Sequence, residues 1–115
     1  MATLPNIHPG EVLTEEFLIP FGLSQERLAR EIGVPTAHIE DICNGRRSIV
    51  ADMALRLARF FGTTATFWLG LQADYDTEET EQALHDTLNN ISQYVPGRAG
   101  LGDERTPAFP SNKLA

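Results

Sequence analysis

The chain has 115 residues, of which 42% are hydrophobic, and this size and composition suit one domain with a buried core. Its single cysteine excludes an internal disulfide, and no apolar run approaches the length that spans a membrane. The first residues lack the charged and then apolar pattern of a secretory signal, so we expect a cytoplasmic protein without a membrane segment.

The net charge of −7 counts against nucleic-acid binding at first, but the charge is unevenly distributed. Residues 24–61 carry six arginines against five carboxylates, a balance of +1. Residues 62–94 carry six carboxylates and no lysine or arginine, a balance of −6. The first part could lie near DNA. The second part would attract a basic partner, or it is a solvated helix face that keeps the chain soluble.

A first helix is predicted over Pro9–Ile19, because Val12, Leu13 and Phe17 recur at helical spacing there. Proline cannot donate a backbone hydrogen bond, so Pro20 is predicted to end this helix.

Two short helices joined by a tight turn are predicted over residues 23–47. Ser24 is a good N-cap for the first of them, and Gly33 ends it, because glycine tolerates the left-handed conformation that a helix end often needs. The second helix begins at Pro35 or Thr36 and stops at Asn44 and Gly45. This pattern predicts a helix-turn-helix, although an ordinary helical hairpin with a glycine turn has the same outline.

Apolar spacing in the second helix leaves Thr36, Ala37, His38, Glu40 and Asp41 pointing outward, where a recognition helix meets base edges in the major groove. Two arginines, at positions 46 and 47, follow in the loop, where guanidinium groups grip phosphates without reading sequence.

Three further helices are predicted, over Ala51–Phe61, after a cap at Thr64, and after a cap at Thr77. No segment alternates convincingly with period two, so we predict an all-α bundle of five or six helices over residues 1–92. The composition then becomes rich in glycine and proline, which predicts a flexible tail over residues 93–115. The last predicted helix carries a narrow apolar stripe of Leu84, Leu88 and Ile91. This stripe either packs on the chain's own core or faces a second copy across a dimer axis.

The sequence gives little support to an enzyme or a metal site. His8, His38 and His85 are scattered, and no nucleophile has a base at a suggestive spacing. Cys43 is most simply a small buried hydrophobe, because a zinc site would need closer pairs of ligands. We therefore predict no catalytic residues, no metal and no cofactor.

Several segments together resemble the HigA/VapI family, the antidote half of bacterial toxin–antitoxin modules, within the helix-turn-helix class of phage-repressor type. The resemblance covers about residues 6–92 in the family's order and spacing. The segments that carry it are IHPGEVLTEEF (7–17), LSQERLAREIGV (23–34), NGRRSI (44–49), ADMALRLARFFGT (51–63) and TFWLGLQADYD (66–76).

The resemblance implies a homodimer that binds a palindromic operator of its own operon and also holds a small basic toxin, usually an mRNA nuclease of RelE-like fold. The DNA-binding residues that it implies are Ser24, Gln25, Thr36, Ala37, His38, Asn44, Arg46 and Arg47. For the dimer or partner surface we predict apolar residues of the last helices, namely Trp68, Leu71, Leu84, Leu88 and Ile91.

One departure concerns the recognition helix. Relatives often carry basic residues where this chain has Ala37 and His38, and the same helix here also carries Glu40 and Asp41. Glu40 is either simply exposed or accepts a hydrogen bond from a cytosine amino group. Two alternatives therefore stay open beside the antitoxin: a stand-alone transcription repressor without a toxin, and a protein-binding inhibitor that has lost DNA binding.

Overall fold

A computed structural model of the chain describes residues 6–97, and within this part the protein contains six helices and no strand. The all-α prediction of five or six helices is therefore confirmed. The helices are α1 (residues 9–21), α2 (Gln25–Ile32), α3 (Thr36–Cys43), α4 (Ala51–Phe61), α5 (Ala65–Ala83) and α6 (His85–Asn89). One compact unit ends at Ala83 and a second begins at Leu84. Of the predicted tail, residues 93–97 contain no helix and residues 98–115 lie outside the described part.

Helix α1 continues past the proline that was predicted to end it. The segment Leu13–Leu18 is π-helical, and Pro20 follows it without interrupting the helix. The wider π turn relieves the clash between a proline ring and the carbonyl four residues earlier, which is the usual reason that proline ends a helix. The end comes instead at Gly22, whose φ of 62° is left-handed.

The turn between α2 and α3 follows the sequence prediction closely. The Ser24 hydroxyl accepts a hydrogen bond from the Arg27 backbone N–H at 2.9 Å. Gly33 ends α2 with a φ of 76°, and Val34 N–H donates back to the Ala29 carbonyl at 3.0 Å. Helix α3 begins at Thr36, because Pro35 has an extended backbone and serves as the residue before the first turn. The helix-turn-helix is therefore confirmed at both of its inner ends.

Trp68 is fully buried in the core, and this corrects the prediction that it contacts a partner. Its indole N–H donates to the Thr63 hydroxyl at 2.7 Å, and its ring lies 5.0 Å from that of Phe17. Leu71 is partly buried against the same core. The Trp68 side chain therefore stabilises the bundle, whereas the partner roles of Leu71 and of the residues that follow α5 stay predictions.

Helix α5 is longer than predicted. Thr64 caps it, as expected, by accepting from the Phe67 N–H at 3.0 Å, but Thr77 lies inside the helix and does not start another. Leu84, Leu88 and Ile91 belong to the second unit and are 40%, 41% and 65% exposed, and their assignment to a dimer or partner surface stays a prediction. No helix within residues 6–97 has the length and apolar character needed to cross a membrane.

Candidate nucleic-acid interface

Helix α3 presents the predicted recognition residues on one side because its other side is locked into the core. Ile39 and Ile42 have no exposed surface. Ala37 and Glu40 are exposed, and three neighbours on the outer side are partly exposed, namely Thr36, His38 and Asp41. The outer side of α3 is therefore polar, free of bulky groups and accessible to a groove of DNA.

The backbone of α1 supports α3 from behind. A Cβ atom placed on Gly10 would lie 1.8 Å from the Ile42 carbonyl oxygen, so only glycine permits this approach. At the N-terminus of α1, His8 Nδ1 accepts from the Gly10 N–H at 2.9 Å. Helix α3 is thereby held at its last turn by the first turn of α1.

Residues 44–50, here called the arginine loop, are fixed at both ends. At the start, Gly45 takes a φ of 76° and Arg46 N–H donates to the Asp41 carbonyl at 2.8 Å. At the far end, the Ile49 N–H donates to Gln72 Oε1 at 2.7 Å in a buried position. The sequence analysis missed Gln72, although a glutamine among apolar positions of α5 was the available signal. The loop that carries the predicted phosphate contacts is therefore ordered from two sides.

Arg46 and Arg47 reach the same carboxylate. Arg46 Nη2 lies 3.5 Å from Asp41 Oδ1, and Arg47 Nη2 lies 3.8 Å from Asp41 Oδ2. All three side chains are substantially exposed, so each pair contributes at most about 1 kcal/mol and a phosphate can displace the carboxylate. Asp41 on α3 is thus an internal competitor for the two arginines that were predicted to contact phosphates, and the sequence analysis did not foresee this pairing.

Ser24 and Gln25 lie at the start of α2, as predicted. Cys43 is half-buried at the end of α3, and this burial raises the pKa of its thiol above the usual value. The side chain packs against the hydrophobic core, in keeping with the predicted small apolar role.

His38 is the histidine on the outer side of α3. Its partial burial lowers its pKa below 6.5, and the nearby Arg47 guanidinium lowers it further, while Asp41 opposes both. The ring is therefore neutral at pH 7 and offers one donor and one acceptor nitrogen. A neutral His38 can hydrogen-bond a base edge but adds no charge toward the phosphates.

Arg56 has a structural role that its sequence position did not reveal. Its Nη1 atom donates to the Ile32 carbonyl at 2.6 Å, where the last carbonyls of α2 lack helical partners, and its Nε donates to Asp52 at 2.6 Å. Only the i,i+4 spacing of Asp52 and Arg56 was visible in the sequence. One of the six arginines counted toward the basic half therefore caps a helix.

The second half of α5 contrasts with this basic region. Residues 74–81, here called the acidic segment, contain five carboxylates and no lysine or arginine. Two of them accept hydrogen bonds from neutral amides: Gln72 donates to Asp76 at 3.0 Å and Asn6 donates to Glu79 at 3.1 Å. Among residues 6–97 no arginine, lysine or histidine pairs with this segment. Its negative charge is uncompensated there.

No three side chains among the His, Cys, Asp and Glu residues of positions 6–97 are grouped in a way that could hold a metal ion.

Comparison with known proteins agrees with this architecture. A helix-turn-helix family model matches residues 15–68. The virulence-associated protein I of Dichelobacter nodosus is 48% identical over 79 residues, which cover 69% of this chain and 73% of that protein. Antitoxin HigA-1 of Vibrio cholerae is 37% identical over 77 residues, 67% of this chain and 72% of the relative.

The chain belongs to the HigA/VapI family of helix-turn-helix antitoxins. Among solved structures, the Pseudomonas aeruginosa antitoxin HigA with the higBA promoter superposes with a TM-score of 0.76. The two chains are 39% identical, and the superposition covers 79% of this chain and 100% of the P. aeruginosa chain. The family expectation drawn from the sequence motifs is therefore confirmed.

Proposed function

We propose that this protein is an antitoxin with two binding activities rather than an enzyme. It represses its own operon by binding operator DNA as a homodimer, and it neutralises a small basic mRNA-cleaving toxin of RelE-like fold by protein–protein binding. The observation that carries the proposal is the division of the molecule into an outward recognition helix with an arginine loop and an uncompensated acidic segment.

The DNA half of the proposal rests on α3 and the arginine loop. Thr36, Ala37 and His38 begin the recognition helix, and Arg46 and Arg47 follow its end in the arginine loop, where we assign them to phosphate contacts. Two further groups of the predicted set flank this surface, Ser24 at the N-terminus of α2 and Asn44 at the end of α3. The structure of the P. aeruginosa antitoxin HigA with the higBA promoter supports operator binding by this chain.

The toxin half rests on charge and exposure. An uncompensated acidic segment attracts a basic protein. Exposed apolar side chains that follow it in sequence can then be buried against the bound partner, which stabilises the complex. Leu84, Leu88 and Ile91 are the exposed apolar residues that follow the acidic segment along the chain. We assign them to the toxin contact.

The homodimer follows from the size of the DNA site. One recognition helix makes few base contacts, whereas two copies on half-sites about one helical turn apart double the contacts and read a palindrome.

The test separates the two activities with two variants. Arg46→Ala with Arg47→Ala should weaken binding to the chain's upstream DNA for all sequences and flatten its salt dependence, since phosphate contacts are lost. Asp74→Asn with Glu78→Gln and Glu81→Gln neutralises three carboxylates spaced along α5 and should leave DNA binding intact. Each variant is scored by fluorescence anisotropy on DNA and by rescue of growth when the neighbouring small basic protein of the operon is expressed.

The arginine variant should still rescue growth, and the carboxylate variant should not. Growth inhibition that neither the wild-type chain nor the variants relieve would leave a stand-alone repressor as the better account. DNA affinity that is absent from the wild-type chain would instead favour an inhibitor that binds protein alone.

A further inference from the structure

Gln72 of α5 joins the arginine loop to the acidic segment through the two ends of its side-chain amide. Its Oε1 atom accepts from the Ile49 N–H at 2.7 Å, and its Nε2 atom donates to Asp76 Oδ1 at 3.0 Å. Gln72 is 6% exposed and Ile49 is 1% exposed, so water has little access to the first of these bonds. The buried Ile49 N–H therefore depends on the orientation of one amide.

The amide of Gln72 satisfies both neighbours in one orientation only. The Ile49 N–H needs an acceptor, whereas an ionised carboxylate at Asp76 accepts hydrogen bonds but cannot donate one. If the amide turned over, its NH2 group would face the Ile49 N–H and its oxygen would face the carboxylate, so that donor met donor and acceptor met acceptor. Asp76 therefore holds the amide in the orientation that the arginine loop requires.

The anchored N–H lies close to the arginines along the chain. Ser48 alone separates Arg47 from Ile49, and the ion pairs of Arg46 and Arg47 within residues 6–97 are exposed contacts with Asp41. The position of the loop backbone thus decides where the two guanidinium groups can reach. A loop that is ordered before DNA arrives loses less conformational entropy on binding, which favours the complex.

We propose that Asp76 is a positioning residue for DNA binding: its carboxylate orients the Gln72 amide, which pre-orders the arginine loop for contact with phosphates. The inference rests on the DNA-binding half of the proposed function. It separates Asp76 from Glu79, whose amide partner is Asn6 in an exposed position. It also gives a task to the polar residues of the family-typical segment TFWLGLQADYD, in which Gln72 and Asp76 lie one helical turn apart.

The expected change in affinity is opposite in sign to the effect of charge. Removing a carboxylate makes the chain less negative, which by itself strengthens its attraction to DNA. Asp76→Ala should instead weaken binding to the chain's upstream DNA by about fivefold, because a hydrogen bond to a charged group that orders the loop is lost.

Asp74→Ala is the matched control. It removes the same charge from an exposed position of the same helix, and residues two apart on a helix point to different sides. This variant should bind the upstream DNA as tightly as the wild type or slightly more tightly.

Fluorescence anisotropy with a duplex of the upstream DNA measures the affinity, at a temperature at which circular dichroism shows every variant to be folded. Under this condition a purely structural role of Asp76 would lower the midpoint of thermal unfolding but leave the affinity unchanged. Amide hydrogen exchange at Ile49 should become faster in Asp76→Ala and stay the same in Asp74→Ala. An affinity of Asp76→Ala that equals or exceeds that of the control would overturn the proposal.

An exchange of the two groups supplies a second test. Gln72→Glu keeps an acceptor for the Ile49 N–H but sets a second carboxylate against Asp76, so it should weaken DNA binding. Adding Asp76→Asn gives the introduced carboxylate an amide donor and should recover most of the loss. Additive losses in the double variant would contradict the orienting role.

The wild-type chain separates the two levels of the argument. If it does not bind its upstream DNA, the DNA half of the proposed function is refuted and this inference with it. Wild-type binding that is insensitive to Asp76→Ala would refute the positioning role alone.

Discussion

The helix-turn-helix and the acidic segment of α5 differ in whether their charged side chains have partners of opposite charge. In the helix-turn-helix region, Arg27 pairs with Glu31, Arg46 and Arg47 share Asp41, and Arg56 binds Asp52 and the end of α2. In the acidic segment, the side chains within residues 6–97 that bond carboxylates are neutral amides.

Net charge is therefore a poor guide to what each region binds. The basic region is almost neutral by count, yet it has arginines held in exposed positions by a single carboxylate that a phosphate can replace. The acidic region has excess charge and no cationic partner within residues 6–97. Arginines that already have a replaceable carboxylate partner are suited to a moderated affinity for phosphates. Carboxylates without a cationic partner are suited to strong attraction of a basic protein.

The largest expected effect on stability comes from adding one methyl group to a glycine in the packed region, compared with the same change on an open part of α5. Gly10→Ala should lower the free energy of unfolding by about 3 kcal/mol or prevent folding, because its Cβ would lie 1.8 Å from the Ile42 carbonyl oxygen. Gly70→Ala on α5 is the matched control. Nothing lies within 4 Å of its Cβ, so the change should raise stability by up to about 1 kcal/mol. Urea denaturation measures both, and equal effects would contradict the close approach of α1 to α3.

The next largest effect on stability is expected at the hydrogen bond from Ile49 of the arginine loop to Gln72 of α5. Gln72→Ala leaves the buried Ile49 N–H without an acceptor and should cost about 1–3 kcal/mol of stability. Gln82→Ala, on an exposed part of the same helix, should change stability by less than about 0.5 kcal/mol. Amide hydrogen exchange provides the specific readout, since the Ile49 N–H should lose protection in the Gln72 variant. Protection that is unchanged would mean that Gln72 does not hold the arginine loop.

Local patterns predicted most of the fold but not its long-range contacts. Ser24, Gly33 and Gly62 mark helix ends through their own side chains or backbone freedom, so the neighbouring sequence was sufficient to place them. Pro20 was misjudged because its tolerance depends on a π-helical segment, and Thr77 because a capping residue in the middle of a helix looks the same in sequence. The family motifs located the recognition helix and the arginines together.

The site was predicted less completely than the fold. Arg56 and Gln72 act through partners 24 and 23 residues away, and sequence spacing carries no signal for such pairs. The pairing of Asp41 with two arginines depends on how the chain turns at Gly45, which brings the loop back over the helix. Trp68 was placed on a partner surface because an apolar residue on a late helix does not reveal whether it faces the core.

A smaller effect tests whether Asp41 limits DNA affinity. Asp41→Asn should raise affinity for DNA of any sequence by about fivefold or less at low salt and steepen the salt dependence, because two arginines lose an exposed competitor. Glu40→Gln removes the same charge from the same helix without touching either arginine, so it isolates the effect of pairing. Anisotropy titrations at several salt concentrations compare the two. Equal gains in both variants would show that bulk charge, and not the pairing, sets the affinity.

The smallest effect lies at His8, which touches both regions. Its ring packs edge-on against Tyr75 of α5 at 4.8 Å, next to Gly45 of the arginine loop, and its Nδ1 accepts from the Gly10 N–H. Burial lowers the pKa of His8 below 6.5, against the opposing effect of Asp76 and Glu11.

The folded chain therefore binds a proton at His8 less readily than the unfolded chain does, so protonation favours unfolding. The stability that His8 contributes is complete above pH 6.5 and is lost as the pH falls from there through the lower folded pKa. His8→Asn keeps a capping acceptor for the Gly10 N–H but cannot titrate. In this variant the free energy of unfolding should therefore fall less steeply between about pH 7.5 and about pH 5, the range in which histidine changes charge. His38, whose pKa is also lowered, leaves part of the slope in place. If urea denaturation across this range gave the same slope with and without His8, the ring would not be the proton-sensitive contact between the arginine loop and α5.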